Sequence, residues 1–341
     1  MNGTTIKRAL LSVGIVFSAG CASLTGMAQY QELMPKAGTA TITVIYHAPA
    51  WGPNEKGEEV VYCLKQVVTE TVQNEQVCLY LCSIKPDGTE RKEVAALPPG
   101  QAIEPYPMAA HLEINATTKR AVIGVQKGSA PGIFVVGLDG KGFRRVWPKE
   151  YDKTPPSGFG HPTWSPDGQW IAYQECHRPK NYDFWRIVKC NTDGGNYTIL
   201  TTPKDYQIDI TPSWSPKGDL IAYVHFPKYY PGDTYLWLMN ADGSNQRNTG
   251  LWGDYPRWSP DGKQVLHNAN KVVDSTTGER VRIYQPDLPM WPKWGKVGFV
   301  GCGNNGIAFT ELDGKNTRPL LRNAGQRGVP LTEVGKERFL W

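Results

Sequence analysis

Along most of the chain, short apolar runs alternate with breaks made of Pro, Gly, Asp and Asn. Ile171-Ala172-Tyr173, Ile221-Ala222-Tyr223 and Tyr235-Leu236-Trp237-Leu238-Met239 are such runs. Thirty-six Gly and 27 Pro punctuate the 341 residues, a pattern that predicts many short strands joined by tight turns and not long helices.

The pattern breaks at the start. Ala9 to Ala19 is an apolar run behind Lys7 and Arg8, the size of an export-signal core and too short to span a bilayer. Two processing points follow. Ser18-Ala19-Gly20-Cys21 resembles a bacterial lipoprotein box, with Ser18 where that box normally carries an aliphatic residue, and would make Cys21 a lipid anchor. Gly26-Met27-Ala28 suits ordinary signal cleavage. Residues 1–28 are read as a leader, with lipoprotein-type cleavage before Cys21 as the alternative, 29–39 as a linker and 40–341 as one domain, and either processing point implies export to the periplasm or cell envelope.

The repeat within that domain is the strongest signal. Residues 161–173, 211–223 and 255–267 share the order Pro-x-Trp-Ser-Pro-(Asp or Lys)-Gly, then an apolar return strand. Pro292-Lys293-Trp294-Gly295 keeps part of it, and residues 112–123 keep only the apolar spacing. A second turn interleaves with the first, at Gly88, Gly140, Gly194, Gly243, Gly278 and Gly314. Six turns imply six units. Pro-x-Trp-Ser reads as a strand whose indole wedges between neighbours, Ser-Pro-Asp-Gly as a tight turn, and the following runs as three more strands. Four antiparallel strands per unit make one blade of an all-β propeller. Such units cannot cover both faces alone and must stack, and a closed ring protects their edges. The divergent stretch 30–110 leaves room for a seventh blade. Thr41 to Tyr46 is expected to close the ring by joining the last blade.

The Trp-Ser-Pro-Asp-Gly and Ile-Ala-Tyr segments resemble the TolB-type β-propeller repeat, a relative of the WD repeat. The resemblance implies the fold and leaves the function broad. Propellers of this kind serve as docking platforms, as substrate gates in peptidases and as polysaccharide lyases. TolB itself carries an α/β domain ahead of its propeller, for which the linker here is too short.

Charge and cysteines narrow the picture. The formal net charge is +5, two units of which come from Lys7 and Arg8, and no basic run marks a nucleic-acid surface. No apolar stretch after the leader is long enough for a transmembrane span. Export permits disulfides among Cys63, Cys78, Cys82, Cys176, Cys190 and Cys302. Cys63 and Cys78 or Cys82 fall on two arms of one hairpin, where a local bridge is open. Cys78 and Cys82 lack a second ligand pair for zinc.

In a propeller, the residues ahead of each Trp should ring one mouth of the central channel. Here they are His161, Thr211, Tyr255 and Trp291, with Asp209 and Asp254 just upstream and His111 in the divergent second unit. The return strands end at the same face with Glu175, His177, His225 and Asn268. Three readings follow. The rim is a satisfied polar channel that fixes the blades. Or it is a binding surface of His111, His161, Asp209, Thr211, His225, Asp254, Tyr255 and Trp291, shaped by the aromatic loops 178–184 and 226–233. Or it is an acid/base or metal site, with His161, His225 and His177 as catalytic candidates and His111, His161, His225 and Asp209 as ligands of a divalent ion. Oligogalacturonate lyase has a related propeller and a His-held metal, but its site has no residue-by-residue match here. No Gly-x-Ser-x-Gly elbow is present, so a serine-hydrolase domain is not expected. The expectation is a non-catalytic platform without a cofactor, for an envelope protein, peptide or polysaccharide. The alternative is a carbohydrate lyase, with or without a divalent metal.

Overall fold

A computed structural model describes residues 40–71, 75–97, 110–125, 132–147, 158–177, 184–204, 207–227, 233–267, 270–284, 288–303 and 306–323. The leader, Cys21, the linker, Asn268 and most of loops 178–184 and 226–233 lie outside the described residues.

Twenty-four strands form six four-stranded antiparallel sheets, each from one contiguous piece of chain. Blade 1 is β1 (Ala40–Pro53), β2 (Glu59–Thr71), β3 (Glu75–Ile84) and β4 (Lys92–Ala96). Blade 2 is β5 (Ala110–Asn115), β6 (Arg120–Val125), β7 (Gly132–Gly137) and β8 (Arg144–Trp147). Blade 3 is β9 (Gly158–Trp164), β10 (Trp170–His177), β11 (Phe184–Asn191) and β12 (Thr198–Ile199). Blade 4 is β13 (Ile208–Trp214), β14 (Leu220–Phe226), β15 (Tyr235–Asn240) and β16 (Arg247–Trp252). Blade 5 is β17 (Arg257–Trp258), β18 (Gln264–His267), β19 (Lys271–Asp274) and β20 (Arg280–Ile283). Blade 6 is β21 (Met290–Trp294), β22 (Gly298–Gly303), β23 (Gly306–Glu311) and β24 (Arg318–Arg322). The chain is thus an all-β propeller of six blades. The stretch that left room for a seventh makes one blade with unusually long strands. Among the described residues, no helix is long and apolar enough to cross a membrane.

The first strand of each blade lies innermost, where it packs on the first strands of its neighbours. Thr41–Tyr46 departs from expectation. It belongs to β1, pairs with β2 from Ala40–Thr71 onward, and is not a strand of the last sheet. The reason is readable in hindsight: Pro49-Ala50-Trp51-Gly52 repeats Pro292-Lys293-Trp294-Gly295, so this stretch is itself the inner strand of a blade. The ring closes by packing of β1 on β21, β22 and β23, and among the described residues no strand is shared there.

Every seam carries its own apolar core. Leu64 and Leu81 meet Leu112 and Ile123 between blades 1 and 2, and Val61 meets Val300 and Phe309 between blades 1 and 6. Ile133 meets Tyr173, Ile187 meets Tyr223, Leu236 meets Val265, and Leu266 meets Phe299 at the remaining seams. Each fully buried side chain of this size contributes about 1.5–3 kcal/mol.

The repeat tryptophans sit at these seams, and three donate across them. Trp164 Nε1–H donates to Glu113 O at 3.2 Å, Trp258 to Ser213 O at 2.9 Å and Trp51 to Lys293 O at 3.0 Å. Trp214 instead donates to Gly218 O in its own turn at 3.2 Å. In that turn the glycine is needed: Gly168, Gly218 and Gly262 have φ of 67°, 85° and 68°. The described cysteines are all thiols. Cys63 faces Cys82 directly across β2 and β3, so the pairing expected for a local bridge is present without the bond.

Candidate functional site

The mouth expected from the sequence is set by a bulge. Ala48, His161, Thr211 and Tyr255 each precede a proline and adopt φ between 47° and 53°. This is the left-handed region, disfavoured for non-glycine residues and for a β-branched one above all, at a cost of about 1–3 kcal/mol each. For Ala48, His161 and Thr211 the strand register slips at this point, and a bulge re-aims the side chain it carries. Pro162, beyond His161, packs so tightly on blade 2 that a Cβ on Gly124 would sit 2.6 Å from it.

His161 meets side chains from two other blades. Its ring centroid lies 3.5 Å from that of His111 and 5.5 Å from that of Tyr255. His161 is buried, its Nδ1 has no hydrogen-bond partner, and its pKa is held well below the ordinary value. Burial is the main cause, followed by the charges of His111, Arg257 and Lys293. Thr211 is also buried: its N–H donates to Gln174 Oε1 at 2.8 Å, and its Oγ1 is unpartnered.

The other candidates are held in separate groups. His225 Nδ1 lies 2.7 Å from Asp209 Oδ1 within blade 4, with the Trp237 ring 4.8 Å away. His177 lies 2.8 Å from Glu175 within blade 3. The buried Glu175 also accepts from Arg186 at 2.8 Å and from the Tyr197 hydroxyl at 2.5 Å. Burial alone would raise the Glu175 pKa, but hydrogen bonds from His177, Tyr197 and Arg186 outweigh it and hold the carboxyl below its ordinary value. Burial raises the pKa of Asp254, which is half-buried. Trp291 lies in β21, its side chain outside the described set. So the structure brings His111, His161 and Tyr255 together, and keeps His225 and His177 in pairs of their own. Among the described residues, no three side chains of His, Cys, Asp or Glu converge as metal ligands.

The opposite end of the inner strands holds a cavity of about 340 Å³, lined from every blade. The variable residue of Pro-x-Trp and its equivalents supplies Ala50, Glu113, Ser213, Arg257 and Lys293 to the lining. Thr163 itself stands inside the hub, where its Oγ1 donates to Glu113 Oε1 at 3.2 Å and accepts from Trp214 N at 3.0 Å. Lys293 reaches from blade 6 past the small Ala50 to blade 2, and its Nζ donates to Leu112 O at 2.6 Å. Arg257 Nη1 donates to Pro256 O at 2.8 Å. Burial, then Arg257, lowers the Lys293 pKa to about 8. Burial raises that of Glu113 even though both cations oppose it. The sequence reading passed over these three charged residues. The signal lies in the x of Pro-x-Trp, which carries Thr, Ser, Arg and Lys in successive copies.

Fold and hub together define a six-bladed β-propeller built from internal repeats. More particularly, part of its repeat region is similar in sequence to TolB. A stretch of 71 residues is 41% identical to the Tol-Pal system protein TolB of Zymomonas mobilis, covering 20% of this chain and 15% of that protein. No family model matches the chain. Among solved structures, TolB from Acinetobacter baumannii is 13% identical with a TM-score of 0.42, covering 88% of this chain and 67% of that one. Oligogalacturonate lyase in complex with manganese is 13% identical with a TM-score of 0.50, covering 84% of this chain and 86% of that one. At such identities the likeness is one of fold.

Proposed function

We propose that the protein is exported and serves as a non-catalytic protein- or glycan-binding platform at the cell envelope, with the histidine mouth of the hub as its docking face. The observation that carries this reading is the cluster of His111, His161 and Tyr255 rings from three different blades. Rings contributed by three blades and gathered at one mouth offer a partner a contact surface. Around that surface the half-buried His225 and Asp254 supply polar contacts suited to an extended peptide or a sugar chain. The platform needs no cofactor. The lyase alternative would require His111, His161, His225 and Asp209 to act as one set, and they stand as two pairs.

Intact mass of the protein recovered from the envelope tests export. A lipidated chain beginning at Cys21 or a chain beginning after Ala28 supports it, and an uncleaved chain overturns it. For docking, Tyr255→Ala in a folded protein should weaken capture of an envelope peptide or glycan, while Trp252→Ala on the blade 4 edge should not. Turnover of an acidic polysaccharide to an unsaturated product, lost in His161→Ala, would replace this reading with the lyase.

A further inference from the structure

We propose that the hub cavity at the Trp-Ser-Pro end binds a small carboxylate with a flat apolar body, its acid group held between Arg257 and Lys293. The site lies at the other end of the inner strands from the histidine mouth, so it is independent of the docking reading.

The cavity, about 340 Å³, falls at the small end of the range of roughly 300–1,000 Å³ for small-molecule sites. Its wall includes Trp51, Trp164, Trp214, Trp258 and Trp294. These rings suit a flat apolar body.

The charge inside is unbalanced. Arg257 and Lys293 come from adjacent blades, and Glu113 is the one acid in the lining. Glu113 is engaged by Thr163, and among the described residues it forms no ion pair with either cation. One net positive charge suits a monoanion better than a phosphate dianion. Arg257 also has a free edge. Its Nη1 is taken by Pro256 O, while its buried Nε has no hydrogen-bond partner. A carboxylate laid along Nε and Nη2 would satisfy that orphan with the paired geometry a guanidinium favours. Lys293 gives one N–H to Leu112 O and keeps two more.

The groups facing Lys293 are Arg257, Glu113 and Cys302, and His161 shares the field of both cations. An arriving carboxylate favours the charged amine, so binding above pH 8 takes up a proton.

The test titrates the full chain with sodium benzoate against benzyl alcohol, and with N-acetylphenylalanine against its amide. Tryptophan fluorescence and calorimetry are the readouts. Saturable binding of benzoate but not the alcohol supports the site. Acid-only binding in the second pair as well assigns a terminal carboxyl on an amino-acid body, and in the first pair alone a free small acid. Arg257→Gln and Lys293→Met should each weaken benzoate at least tenfold, and Glu113→Gln should strengthen it. At pH 8.5, calorimetry in two buffers of different ionisation enthalpy should report proton uptake. Equal binding of acid and neutral partner in both pairs, or none in either, overturns the proposal. If the cation variants fail to fold, weaker benzoate binding by a folded Glu113→Gln overturns it too.

Discussion

The indole Nε1–H of Trp51 donates to the main-chain carbonyl of Lys293 at 3.0 Å, joining the first blade to the last. Beside it the ring lies on Gly295, where a Cβ would come within 2.4 Å of the indole. This contact, with the apolar seam behind it, does the work that a shared strand does in other ring closures.

Gly295→Ala should therefore destabilise the protein by about 1–3 kcal/mol through overpacking. Trp51→Ala should cost about 3 kcal/mol through lost burial and an orphaned carbonyl. Trp252→Ala, at 59% exposure, should shift stability by less than about 0.5 kcal/mol. Urea denaturation followed by circular dichroism compares the three. A Gly295→Ala protein as stable as the parent would refute the packing argument.

Acid should loosen the ring before it affects the carboxylates in general. Burial lowers the pKa of His47 to about 4, and burial followed by Lys271 does the same for His267. Between about pH 6.5 and 4 the unfolded chain binds protons that the folded chain refuses, so stability falls as pH falls through that window. For His47 alone the loss approaches about 3 kcal/mol. Denaturation midpoints at pH 7, 6, 5 and 4.5 should show the slope, and His47→Asn should flatten it.

Glu175 should be the most sensitive acid in blade 3. It is fully buried against Arg186, His177 and Tyr197. Glu175→Gln leaves the guanidinium without its counter-charge and should cost about 3 kcal/mol. Its depressed pKa has the same sign in acid: the stability it lends is present at neutral pH and lost as pH falls through the carboxylate range. Thermal unfolding at pH 7 is the check, and an unchanged midpoint would show the network to be ornamental.

Thiol labelling should separate the cysteines. Cys63 and Cys82 are fully buried, and the Cys63 thiol is pushed well above its ordinary pKa by its hydrogen bond to Cys82 and then by burial. Cys78 is half-buried. Cys78 should react with a maleimide first, and Cys63 and Cys82 only at the rate of global unfolding. Mass spectrometry of timed aliquots decides it, and early labelling of Cys63 would contradict the packing of the seam between blades 1 and 6.

The blades were legible because the repeat spends its residues on geometry. A wedge needs Trp, its turn needs Gly with positive φ, and a return strand needs Ile-Ala-Tyr. Pro49-Ala50-Trp51-Gly52 escaped notice because it lacks the Ser-Pro-Asp-Gly turn that marks the other copies, so the first inner strand was misread as a closing strand. At the mouth, spacing put His111, His161 and Tyr255 at one rim, and their rings lie side by side in the structure. It could not show that His225 and His177 would bond within their own blades, since His225 meets Asp209 across the β13–β14 pair and His177 meets Glu175 two residues earlier on its own strand. The cation pair was missed for a different reason. Arg257 and Lys293 sit at a position that repeat comparison treats as noise, and only closure of the circle turns six unrelated substitutions into one lining.

Each sheet is a contiguous piece of chain, and among the described residues no strand is lent across the seam between the last blade and the first. The order of the blades around the circle is thus decoupled from where the polypeptide starts. A circular permutant cut between any two blades, with residue 323 spliced to residue 40, would keep all six sheets whole. By the same logic a gene could gain or lose a whole blade by copying one unbroken segment, with only the tryptophan seams left to readjust.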